Sequence, residues 1–347
     1  MSSKKNVFLV LTEYQFLQAL NISTGVYKAF IYTNVIYLIR NGKRLKSIDS
    51  NKNWIMDNIQ IRILDNEKPI TIVDRILCEK PNHFYFFQAN SPLNVQLAYT
   101  LAKRGVEISL GPDGYNAYAI FDKKHHFLSV IKDSYFGNRY LLKHKLFNGK
   151  IHCFDFYKYG NHRFINNLWI THPEQFVRQA KSIVKILKLP DFNGKCIEFI
   201  KNCFNFVNVF PTEDVIYFFN QPLWPSIAEK EYDFLVEVLT LFPDRKVIIK
   251  LHPVTDSKMK ARYMALDNTE IIESDVPAEV LLLSLKKCIV YTSWSSVLIT
   301  ENPSCNYYFN YPIYKKMNDP ILSQINIVTL NHITLIQSPL EMKFPNE

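Results

Sequence analysis

Apolar and polar positions along this chain alternate in short blocks that suit strands and helices in turn. The five apolar residues Val7–Leu11 predict a buried strand, followed by a helix from Tyr14 to about Tyr27. Phe30–Leu38, Ile59–Leu64 and Phe84–Gln88 predict further strands. Leu93–Arg104 places Leu93, Leu97, Ala98 and Leu101 at helical spacing, and Ile108–Leu110 is a short strand ending in Gly111, Pro112, Asp113 and Gly114. A second pattern begins near Asp214. It predicts a strand at Val215–Phe219, a turn over Asn220–Pro225, and a helix with Ile227, Phe234, Leu235, Val238, Leu239 and Phe242 on its buried face. Ser226 and Glu229 have the spacing of a capping box for that helix. Strands at Lys246–Leu251 and Cys288–Thr292 and helices at Glu279–Lys287 and Ser295–Glu301 complete the pattern, which Asn302 and Pro303 stop.

Strands alternating with helices imply parallel βαβ units, hence the α/β class. The 347 residues suit two domains better than one. We expect residues 1–200 to form the first and 201–330 the second, with a cleft between them and 331–347 packing back on the first.

Composition narrows the function. Hydrophobic residues make up 48% of the chain, so a large core is available and global disorder is excluded. The net charge of +9 favours acidic partners such as nucleotide phosphates, anionic lipid or an anionic glycan. That charge is diffuse, and neither zinc-finger spacing nor an RNA-binding signature is present, which argues against nucleic acid. The stretch from Lys123 to Arg163 is basic and aromatic, suiting either a solvated helix face or peripheral contact with a membrane surface. The six cysteines form no CxxC pair and read as buried free thiols. No run approaches the ~20 apolar residues of a membrane span, and the start lacks a signal-peptide core, so a cytoplasmic location is expected, with at most peripheral contact with the inner membrane.

The chain has no GxGxxG, no Walker loop and no Asp-x-Asp, which argues against dinucleotide, P-loop and metal-diphosphate chemistry. His252 follows a strongly apolar strand and precedes Pro253, which restricts its backbone; an imidazole there can assist a departing phosphate oxygen. Ser295 and Ser296 open a helix, where hydroxyls and amides can meet an anion. Glu279, in a first helical turn after Pro277, can accept two ribose hydroxyls. Asp113, in a Pro-Asp-Gly turn, can act as a base on a sugar hydroxyl. Each feature also has an ordinary use as a strand-end hydrogen bond, an N-cap, a dipole partner or a turn. Their order at successive strand-to-helix junctions is what favours a site.

This arrangement resembles the bacterial GT-B sialyltransferases, especially the lipooligosaccharide sialyltransferase and polysialyltransferase families. The resemblance rests on Pro112-Asp113-Gly114, His252-Pro253, Pro277-Ala278-Glu279 and Ser295-Ser296, with the segment from Phe8 to Gln15 and the turn at Asn220, Gln221 and Pro222. The resemblance implies two Rossmann-like domains and an inverting, metal-independent transfer of a sialic or related nonulosonic acid from a CMP donor to a cell-surface glycan. Asp113 would be the general base and His252 the group assisting CMP departure. Gln221, Lys250, Pro253, Glu279, Ser295 and Ser296 would bind CMP, and Asn90, Ser91 and Tyr115 the acceptor. The chain departs from the family at Pro112, where the motif has its first acidic position. CDP-glycerol or CDP-ribitol phosphotransferases share the Lys-x-His-Pro and Ser-Ser elements but usually carry an Asp before the serines and lack the Pro-x-Glu. A non-catalytic glycan- or anion-binding protein is the third reading.

Overall fold

The structure is a computed structural model. It describes residues 3–40, 45, 48–49, 54–114, 118–121, 126–154, 159–160, 162–176, 184–221, 225–252, 254–274, 276–293, 295–315, 325–327 and 330–345. Two compact units divide the chain, Met1–Phe204 and Asn205–Glu347.

Unit 1 contains strands β1 (Lys4–Val10), β2 (Tyr32–Arg40), β3 (Trp54–Met56), β4 (Ile59–Asp65), β5 (His83–Phe86), β6 (Glu107–Leu110), β7 (Ala119–Phe121), β8 (Asn167–Ile170) and β9 (Lys185–Lys188). Its helices are α1 (Glu13–Gly25), α2 (Pro69–Cys78), α3 (Pro92–Ala102), α4 (His126–Lys143) and α5 (Gly194–Cys203). The main sheet has the order β3-β4-β2-β1-β5-β6-β8-β9, all parallel except for the β3–β4 pair. Runs such as Val7–Val10 and Phe84–Phe86 are wholly buried, as a sheet covered on both faces demands.

Unit 2 contains β10 (Ile216–Phe219), α6 (Pro225–Leu241), β11 (Val247–Lys250), α7 (Ser257–Met264), β12 (Thr269–Ile272), α8 (Ala278–Leu282), β13 (Ile289–Thr292), β14 (Asn306–Phe309), α9 (Tyr311–Lys315), β15 (Ile325–Ile327) and β16 (Ile333–Leu335). Its parallel sheet runs β12-β11-β10-β13-β14-β16. The chain builds outward from β10 to β11 and β12, then returns to the other side of β10 with β13. The β10–β13 boundary is therefore the topological switch point, where open α/β sheets bind ligands beyond the carboxyl ends of their strands.

Several expectations need correction. The C-terminal residues belong to unit 2 rather than to the first domain: β16 pairs with β14, and Ile336, Met342 and Phe344 fill the core beside α6 and β14. The capping box expected at Ser226 falls on a side chain outside the described residues, and the Glu229 carboxylate pairs with Arg262 at 2.6 Å. The helix expected at Glu279–Lys287 is the five-residue α8, and that expected at Ser295–Glu301 is one 3-10 turn over Ser296–Ile299. Among the cysteines, Cys78 and Cys153 are exposed and the other four are buried free thiols.

Candidate functional site

In unit 2 the strand register sets the geometry. Phe219 lies opposite Lys250, Phe218 opposite Tyr291 and Thr292 opposite Phe309, so β10, β11, β13 and β14 end level. The loops carrying Gln221, His252, and Ser293 with Ser295 and Ser296 therefore leave one edge of the sheet, around the switch point. β12 ends at Ile272, opposite Lys250, and its loop leads to Glu279. Gln221 bends back, its Nε2 donating to the Asn220 carbonyl at 2.9 Å. Pro253, like Tyr115 and Pro222, lies outside the described residues.

His252 is half-buried, and its Nδ1 accepts from the Val254 amide at 3.3 Å. That bond assigns the neutral ring's proton to Nε2, making the ring a hydrogen-bond donor at its outer nitrogen. Lys250 is buried at the end of β11, its ammonium donating to the carbonyls of Leu251 (3.2 Å) and Ser274. Glu279 is only 4% exposed. Burial pushes its carboxyl up to about 7, against the opposing pull of a backbone amide and of Lys250. Ser295 caps its 3-10 turn, its hydroxyl accepting from the Val297 amide at 3.3 Å, while Ser296 is half-buried. A turn of four residues carries far less dipole than the expected helix, so any anion here relies on hydroxyls and local amides.

In unit 1 the β5 and β6 ends are adjacent, Phe86 lying opposite Leu110. Asp113 follows β6, and Gly114 takes the positive φ of +63° that turns the chain behind it. The Gln15 side-chain amide donates to Asp113 Oδ1 at 2.9 Å, while Gln15 Oε1 accepts from the Leu11 amide at 2.9 Å. Tyr159 is buried beside them and donates to the Gly111 carbonyl. Asn90 and Ser91 occupy the loop from β5 to α3. Ser91 stands at the N-cap of α3 without a side-chain capping bond. Asn90 borders a cavity of about 500 Å³ lined also by Asp133, Phe136, Tyr140 and Phe154.

The positions read from sequence thus fall into two sets, one per unit, each at the carboxyl end of its own sheet. Two contributors escape a reading by motif. Gln15 announces itself only as the fourth residue of a Thr12-x-x-Gln15 cap, in which the Thr12 hydroxyl accepts from the Gln15 amide at 3.2 Å. Glu231 is a buried carboxylate in the apolar stripe of α6 between Ile227 and Leu235.

The family model described as Alpha-2,8-polysialyltransferase (POLYST) matches residues 29–308. A solved sialyltransferase from Photobacterium damsela superposes with a TM-score of 0.52 at 12% identity, over 97% of this chain and 82% of that one. The 2,6-sialyltransferase of Vibrionaceae Photobacterium sp. JT-ISH-224, solved with CMP and lactose, gives 0.51 at 15% identity, over 88% and 71%. The S. aureus MnaA–UDP structure gives 0.52 at 10% identity, over 92% and 89%. At these identities the likeness shows the fold: two Rossmann-like units of the GT-B type. No curated protein matches the chain significantly.

Proposed function

Because the chain belongs to the alpha-2,8-polysialyltransferase family and is a sialyltransferase-type glycosyltransferase, we propose that it transfers a sialic acid, or a related nonulosonic acid, from a CMP donor to a glycan with inversion at the transferred carbon. The observation that supports this reading is that the loops carrying Gln221, His252 and Ser295–Ser296 leave unit 2 around its switch point, with the β12 loop that leads to Glu279 leaving the same carboxyl edge of the sheet.

In this reading unit 2 holds CMP. The Glu279 carboxylate accepts the two ribose hydroxyls, and Ser295 and Ser296 donate to the phosphate. Transfer breaks the bond between the anomeric carbon and the phosphate oxygen, and its electron pair leaves with CMP. The His252 Nε2–H stabilises that oxygen as negative charge develops on it. The acceptor hydroxyl attacks the oxocarbenium-like carbon and gives its proton to Asp113, whose second oxygen is aimed by the Gln15 amide held at the first. CMP leaves with a single phosphate, so hydroxyls and an imidazole replace the metal clamp that a diphosphate needs. The 2,6-sialyltransferase solved with CMP supports the donor. The family description makes a sialyl-terminated chain the first acceptor to test.

Helix α4 supports a membrane-facing acceptor. Leu128, Ile131, Tyr135 and Leu142 form one exposed apolar stripe, flanked by exposed Lys132, Arg139 and Lys143. No helix among the described residues is long and apolar enough to cross a membrane, so contact through α4 would be peripheral. The deciding experiment is turnover of CMP-sialic acid with a sialylated acceptor: the chain transfers, and His252→Ala loses at least ~10²-fold in kcat. Absence of both turnover and CMP binding would end this reading.

A further inference from the structure

Glu231 serves no step above, yet it lies 1% exposed in the second turn of α6, at a position where the helix repeat calls for an apolar side chain. A buried carboxylate costs several kcal/mol unless its surroundings compensate it, so its presence there needs a reason. Its hydrogen bonds supply one. Oε2 accepts from Asn220 Nδ2 at 2.9 Å and from the Tyr263 hydroxyl at 3.2 Å. Asn220 Oδ1 in turn accepts from the Thr255 hydroxyl at 2.6 Å, and the Thr255 amide closes a turn on the His252 carbonyl at 2.9 Å. Ser293, one residue past β13, shares the pocket, its hydroxyl 3.2 Å from that of Tyr314.

We propose that Glu231 is a positioning residue that locks the Gln221, His252 and Ser293–Ser296 loops into one arrangement beneath the CMP site. The inference rests on the donor reading above. Asn220 is the joint: held by Glu231 on its amide nitrogen and by Thr255 on its oxygen, it cannot rotate, and the His252 turn is tied to it. Burial pushes the Glu231 carboxyl up to about 7, opposed by Ser293, Asn220 and Tyr263, the groups it organises. Perturbed, buried carboxylates of this kind gather where function rather than stability has selected them.

The test is a cycle on the full chain with Glu231→Leu, Thr255→Val, their combination and Glu231→Gln, read by kcat/KM for CMP-sialic acid and by amide hydrogen exchange. A displacement of about 1 Å at a reacting group costs roughly 10²-fold, so Glu231→Leu should lose on the order of 10- to 100-fold. Thr255→Val should lose about 10-fold. Because both act through Asn220, the double variant should fall no lower than Glu231→Leu alone. Glu231→Gln keeps an oxygen for Asn220 and Tyr263 and should stay within about threefold of wild type. Exchange should rise in Glu231→Leu at residues 220–221, 252, 254–255, 293 and 295–296. Losses that multiply, or unchanged exchange in those loops, overturn the proposal. If Glu231→Leu does not fold, Thr255→Val with wild-type turnover and exchange overturns it. If the wild type turns over no CMP-sialic acid, the donor reading falls, and loop exchange still decides Glu231.

Discussion

Replacing Glu279 by Gln should stabilise the fold at pH 8 while damaging the site. Burial pushes the folded carboxyl up to about 7 from an ordinary value of 4.5. A group whose folded value is raised contributes its full stability below the unfolded value and loses it as pH climbs to the folded one. From pH 4.5 to about 7, wild type therefore gives up stability through this residue. The gap of about 2.5 units corresponds to roughly 3 kcal/mol by pH 8. Gln has the shape of the protonated acid and never ionises, so Glu279→Gln should lie within about 1 kcal/mol of wild type at pH 5 and exceed it by roughly 3 kcal/mol at pH 8. Lys250 loses an attraction in this variant but keeps its bonds to the Leu251 and Ser274 carbonyls, so the change does not strand it. Thermal unfolding of the intact chain at the two pH values is the assay, and a gain of several degrees at pH 8 is expected. CMP titration on the same samples should show affinity falling about 10-fold or more, because an amide oxygen pairs more weakly than a carboxylate with two ribose hydroxyls. A stability gain of equal size at pH 5 and pH 8, or none at pH 8, would refute the reasoning.

Asp113→Asn keeps the oxygen that Gln15 holds, so stability should barely change while kcat falls by about 10² or more; retained turnover would remove Asp113 as the base. Gly137→Ala drives a methyl into the ring of buried Phe154, well inside van der Waals contact. Ala is the better helix former by about 1 kcal/mol, but overpacking costs about 1–3 kcal/mol, so denaturant unfolding should show a net loss. Leu128→Ser with Ile131→Ser, which remove apolar surface without adding charge, should weaken binding to anionic vesicles and leave transfer to a water-soluble acceptor intact. Added salt is the control that needs no substitution, and it should weaken the wild-type contact through the basic flank of α4.

How much of this is legible in the sequence depends on how far each element's cause lies from it along the chain. Strands such as Val7–Val10 and Ile289–Thr292 are buried on both faces, and their unbroken apolar runs announce that directly. Short helices are misjudged from pattern alone because tertiary contacts end them. At α8, the Asn302 side-chain amide reaches back from beyond β13 and donates to the carbonyls of Leu282 at 2.8 Å and Leu285 at 2.9 Å, which a longer helix would use itself. The C-terminal residues are hard to assign to a unit because Met342 and Phe344 carry no periodicity; only the open face beside β14 and α6 shows where they belong.

The site divides in the same way. Residues named by motif, His252, Glu279 and Asp113, are visible because their backbone setting is local: a strand end, a first helical turn, a Pro-Asp-Gly turn. The residues that hold them are not, since Gln15 reaches Asp113 across 98 positions and Thr255 reaches Asn220 across 35. Glu231 leaves one local trace, a charge where α6 should be apolar, and that trace has no meaning until Asn220, Tyr263 and Ser293 are seen around it. Two carboxyls in unit 2, Glu231 and Glu279, are both pushed up to about 7 by burial. A fold selected for stability alone would have replaced either with an apolar residue or an amide. Keeping both fits the proposed reading, in which one carboxylate meets the ligand and the other holds the loops that surround it.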